Sequence, residues 1–227
     1  LSNDKIESQV KALSEKSNSI AVCKTIVFKY SINDSNIELD TNLIMNGGNN
    51  IDFIANLWGG SGVMGMVQPN AYLVPISIIN KIGIWDESLS PSPDEDGEYF
   101  ARAIYESSNI VFTEGINYYR KIDQVNSLSK AKSLVHAIGL FKTIQKKFEP
   151  YLNSNFDKFH NLYALQLTSC AYQFANQYPY IYELVENEFR KNNISGYQFL
   201  NNTKFSIAAR IIGFKKAMRL RKILNET

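Results

Sequence analysis

The chain has 227 residues, 44% hydrophobic and 20% charged, with a net charge of +2. These proportions describe a folded domain with a sizeable core and exclude wholesale disorder. No apolar run reaches the roughly 18 residues a membrane-spanning helix needs. The charge is uneven: residues 204–227 hold seven cations and one acid, Glu226, for a net +6, and the other 203 residues carry −4. The basic character therefore belongs to a tail, and no nucleic-acid-binding module is expected. Cys23 and Cys170 sit far apart in apolar runs, which predicts buried thiols in a reducing compartment. His136 and His160 stand 24 residues apart with no partner at ligand spacing, so a His/Cys metal site is not expected.

In chain order, residues 4–16 predict a surface helix, with Ile6, Val10 and Leu13 at helical spacing and Asn3 or Asp4 as cap. Ser19 to Tyr30 is rich in β-branched and aromatic residues and reads as a strand. A polar stretch follows to Asn50, with a short strand near Ile37–Leu39. A helix over Ile51–Leu57 is broken by Gly59-Gly60-Ser61-Gly62. Val63–Val67 and Ala71–Val74 look extended, and Pro75 opens a helix through Lys81. Asp94–Ser107 predicts an amphipathic helix with an acidic start. Asn109–Thr113 and Tyr118–Arg120 read as two brief strands. From Ser129 onward the pattern is helical, over about 130–149, 155–177, 179–192 and 204–224, with breaks at Pro150, Pro179 and Gly196. The expected organisation is α/β over 1–128, then a helical region over 129–227.

The densest chemistry lies at Asp94-Glu95-Asp96. A carboxylate fixed at a helix start beside a Pro/Ser loop can accept a proton from a bound hydroxyl, and it can equally satisfy orphan backbone N–H groups. A helix N-terminus favours the anion and weakens a base, unless apolar neighbours such as Trp85 and Tyr99 offset it. Asp94-x-Asp96 is spelled like a metal motif but opens a helix instead of ending a strand, so it reads as coincidence. Arg102, on the same helix, can orient Glu95 or Asp96 or remain solvated. Trp58 can stack on a substrate ring or simply pack. The glycine loop beside it lacks dinucleotide-type spacing and is expected to shape the floor of a cleft.

Residues Asn70-Ala71-Tyr72-Leu73-Val74-Pro75, then Lys81-Ile82-Gly83-Ile84-Trp85-Asp86-Glu87, Glu95-Asp96, Arg102, Tyr119-Arg120 and Ser127-Leu128-Ser129, occur in an order that resembles family 2 glycosyltransferases. The resemblance covers about residues 1–129. It implies the acceptor-side portion of a GT-A fold, an inverting transfer from a nucleotide-diphosphate sugar to a glycan or lipid-linked hydroxyl, and Asp96 as general base. Glu95, Arg102, Trp58 and Arg120 become its expected substrate-binding neighbours.

The resemblance also implies a divalent metal, Mg or Mn, with no ligands in this chain, because Leu1–Glu7 is similar to the segment just after the family's Asp-x-Asp motif. The nucleotide site would then precede Leu1, and residues 1–227 alone would not turn over donor. The histidine that often follows the family's Tyr-Arg pair is absent from Arg120-Lys121-Ile122-Asp123. The location expected is cytoplasmic, peripheral at the inner face of the plasma membrane. The apolar and basic residues of 204–224 suit an anionic membrane surface. The alternative is a non-catalytic interaction module carrying that membrane-binding helix.

Overall fold

The computed structural model describes residues 1–34, 37–39, 48–121, 133–154 and 157–226. It is an α/β protein with two compact units: Leu1–Glu87 with Asp96–Ser127, and Ser88–Glu95 with Leu128–Thr227. The Ser127–Ser129 segment of the resemblance lies outside the described residues.

The first unit is built on a mixed sheet. Helix α1 (Lys5–Ser14) leads into strand β1 (Ser19–Phe28), whose Ile20–Cys23 are wholly buried. Strand β1 pairs in parallel with β5 (Asn109–Arg120) along its full length. Its other edge is antiparallel to β2 (Ile37–Leu39) and to β4 (Tyr72–Leu73). Strand β3 (Gly48–Asn49) pairs antiparallel with the start of β5. Between β1 and β5 the chain also forms α2 (Asn50–Leu57), α3 (Ile76–Ile82) and α4 (Glu95–Glu106).

Several expectations need correction. Strand β5 is one strand, not two brief ones. Its register against β1 slips after Thr113 and resumes at Ile116, so Glu114 and Gly115 form a bulge. Gly115 is required there: a Cβ would lie 2.6 Å from the Lys5 backbone, so α1 could not approach. The Ser2 N–H donates to Ile116 O, and the Ile116 N–H donates to Ser2 Oγ, each over 2.9 Å.

Helix α1 is also turned by about a quarter turn from the face its pattern suggests. Ile6 and Val10 are exposed, while Lys5 and Gln9 are buried. The buried pair is satisfied locally: Lys5 Nζ donates to Gln9 Oε1 (2.7 Å), and Gln9 Nε2 donates to Ala71 O (2.9 Å). The Val63–Val67 strand is not formed. In its place a single bridge joins Met64 to Trp58.

The second unit is helical beyond its opening loop: α5 (Leu134–Asn153), α6 (Asp157–Phe174), α7 (Tyr180–Lys191), α8 (Lys204–Ile212) and α9 (Phe214–Glu226). Helix α5 runs through Pro150 and does not stop there. The expected single helix over 204–224 is two helices, parted at Gly213 with φ of +87°. Phe148, Tyr151, Phe159, Tyr163 and Cys170 form the core. Buried Glu188 accepts from Tyr163 Oη (2.9 Å), Gln145 Nε2 (2.7 Å) and Asn192 Nδ2 (2.7 Å), with exposed Lys191 Nζ 3.8 Å from its Oε1.

One face of α5 carries the loop 88–95. Gly139, Thr143 and Lys147 recur every four residues and so share a face. A Cβ at Gly139 would lie 3.0 Å from Pro91 O. Thr143 Oγ1 donates to Ser92 Oγ (2.7 Å), and Lys147 Nζ donates to Asp94 Oδ2 (2.5 Å).

Candidate functional site

The turn after α3 shows why its sequence reads Lys-Ile-Gly-Ile-Trp. Gly83 takes a φ of +78° and its N–H closes α3 on Ile79 O. The chain then reverses and places Trp85 against Tyr99 of α4, rings stacked 5.0 Å apart. Tyr99 meets Phe100 edge-on at 5.5 Å, and Phe100 stacks on Tyr72 of β4 at 4.2 Å. The result is a continuous aromatic row, Trp85–Tyr99–Phe100–Tyr72, with its Tyr72 end buried and its Trp85 end partly open.

Asp96 stands in the first turn of α4, three and four residues before Tyr99 and Phe100, so it shares their helix face. Its side chain is half-buried. Oδ1 accepts the Gly97 N–H over 2.9 Å, so part of the carboxylate acts as a local cap. Its charge also reaches Tyr72: burial first, and the Asp96 charge second, push that phenol well above its ordinary range and keep it protonated.

Arg102 does not orient Glu95 or Asp96, and that expectation is corrected. It forms a bidentate pair with buried Glu98, Nε to Oε1 at 2.6 Å and Nη2 to Oε2 at 3.0 Å. Its remaining donors take the carbonyls of Ile82 and Ile84. The arginine therefore clamps the end of α3 to α4 and fixes the turn that delivers Trp85. Glu98, four residues before it, is the partner that sequence reasoning missed, although helical spacing could have found it.

Trp58 is 5% exposed and closes α2, which removes it as a sugar-stacking surface. The glycine loop beside it ends a helix. Gly60 N–H donates to Ala55 O over 2.8 Å, and a Cβ there would lie 2.8 Å from the same oxygen. Arg120 is exposed at the end of β5, where its Nε reaches Lys29 O at 3.4 Å. Glu95 is half-buried and makes no ion pair or hydrogen bond among the described residues. Asp94, first of the Asp-x-Asp spelling, is committed to Lys147.

No group of three or more His, Cys, Asp or Glu side chains able to hold a metal occurs among the described residues. The described residues thus offer no ligand set of their own for the divalent ion that the resemblance implies. Cys23 and Cys170 are buried free thiols, and burial pushes Cys170 up to about 12. No helix among the described residues is long and apolar enough to cross a membrane.

No family model matches the chain, and no curated protein or solved structure does.

Proposed function

We propose that this chain is the acceptor-side part of an inverting glycosyltransferase of the family 2 type, with Asp96 as the general base. The observation that carries the reading is the shared face of α4, on which a half-buried carboxylate lies beside the aromatic row ending at Trp85. Apolar rings that flank a carboxylate offset the helix-terminus field that would otherwise weaken it as a base. The hydrogen bond from Gly97 fixes the plane of the carboxylate.

In the reaction, an acceptor hydroxyl attacks the anomeric carbon of a nucleotide-diphosphate sugar. The bond to the diphosphate breaks with inversion, and the hydroxyl proton passes to Asp96. The Trp85–Tyr99 pair offers a stacking surface for the acceptor ring, in the role first assigned to Trp58. Arg102 positions this surface without touching substrate.

The test is transfer from a panel of nucleotide sugars by a protein that carries residues 1–227 together with a nucleotide-sugar-binding half. Asp96-dependent transfer supports the reading. Failure of transfer with every donor, with lipid binding retained, leaves a non-catalytic docking module.

A further inference from the structure

The last two helices carry a feature that glycosyl transfer does not use. On α8, Phe205, Ser206 and Ala209 face inward, while Ile207 and Ile211, one turn apart, are exposed; Ile211 is 76% exposed. Lys204 and Arg210 flank that pair. On α9, Phe214, Ala217 and Met218 are buried, and Arg221 lies over the Tyr172 ring at 3.9 Å. The opposite side of α9 exposes Leu220, Ile223 and Leu224 next to Lys216 and Arg219. Lys204, Lys216 and Arg219 have no carboxylate within ion-pair distance among the described residues.

We infer that α8 and α9 form a docking surface for an anionic lipid bilayer. Charge complementarity selects an anionic partner, since 204–227 carries +6. The arrangement of side chains then selects lipid over nucleic acid. The rings that could stack on bases are turned inward: Phe214 stacks on Tyr197 at 4.0 Å, and Phe205 meets Tyr172 at 4.8 Å. What remains outside is aliphatic and cationic, which suits acyl chains beneath a phosphate layer. The break at Gly213 gives two short helices, each able to bring its own aliphatic residues to the interface. This surface lies wholly in the second unit and does not depend on the catalytic reading.

The experiment is co-sedimentation of the full chain with phosphatidylcholine vesicles, with vesicles also containing phosphatidylglycerol, and a parallel titration with a single-stranded oligonucleotide. The chain pellets with the phosphatidylglycerol vesicles at low salt, releases at high salt, and stays in solution with phosphatidylcholine alone. Each surface cation contributes about fivefold in partitioning, so Lys216→Ala with Arg219→Ala weakens binding on the order of 25-fold. Ile211→Asp with Leu220→Asp abolishes it while the circular dichroism spectrum is unchanged. Failure to pellet with phosphatidylglycerol vesicles overturns the inference. So does full binding by the Asp variant, or tighter binding to the oligonucleotide than to lipid.

Discussion

Lys147 donates to Asp94 Oδ2 over 2.5 Å, with the lysine side chain 4% exposed and the carboxylate 34% exposed. The pair joins positions 53 residues apart and holds the loop that leads into α4. It also gives the Asp94-x-Asp96 spelling a structural role: its first carboxylate is the partner of a buried cation.

Asp94→Asn should therefore cost about 1–3 kcal/mol in urea unfolding, because it removes a charge-assisted bond to a buried lysine. Added Mn²⁺ should leave the unfolding midpoint of the unsubstituted protein unchanged. A metal-induced rise that Asp94→Asn abolishes would contradict this assignment.

Gly115→Ala should destabilise the first unit by about 1–3 kcal/mol, since its Cβ would lie 2.6 Å from backbone that α1 cannot withdraw cheaply. Gly62→Ala, where nothing lies within 4 Å but φ is +89°, should cost less, about 1 kcal/mol of backbone strain. Equal costs would mean that α1 is not pinned at Lys5.

The two tryptophans should separate stability from binding. Trp58→Ala removes a buried ring and should cost about 3–5 kcal/mol. Trp85→Ala, at the partly open end of the aromatic row, should cost less, about 1–2 kcal/mol for the lost stacking on Tyr99, and raise KM for acceptor. A Trp58→Ala variant that melts normally but loses acceptor binding would restore the sugar-stacking role to Trp58.

Stability should fall in alkali. In the unfolded chain Cys170 ionises near its ordinary value of 9.0, while in the folded protein burial holds it protonated up to about 12. Between those values the unfolded state binds fewer protons, so each pH unit lowers stability by up to about 1.4 kcal/mol. Buried Tyr72 and Tyr163 and half-buried Tyr197 add losses above the ordinary tyrosine range, because their phenols are raised as well. Cys170→Ala should reduce the slope of urea stability just above pH 9 and leave the parts due to Cys23, which burial also raises, and to the tyrosines. Identical slopes for the two proteins would contradict the burial assignment.

Local signals in the sequence located most elements, because capping and turn chemistry act within a few residues. Pro75, Asn49 and Gly83 mark helix ends where they occur. What was not legible depended on tertiary partners. The apolar spacing of Ile6 and Val10 points one way, yet Lys5 and Gln9 are buried because Gln9 finds carbonyls at Ala21 and Ala71. The two halves of β5 read as separate strands because the Glu114–Gly115 bulge interrupts their alternation. Asp96 and its aromatic neighbours were legible as residues on one helix. The Arg102 clamp on Ile82 and Ile84 was not, since main-chain acceptors leave no mark in sequence.

The most direct measurement is the transfer rate of Asp96→Asn, with donor binding measured in parallel on a protein joining residues 1–227 to a nucleotide-sugar-binding half. The account predicts a rate lowered by about a thousandfold, with donor affinity and the unfolding midpoint unchanged. Near-normal transfer by Asp96→Asn would reduce Asp96 to a cap on Gly97 and contradict the account.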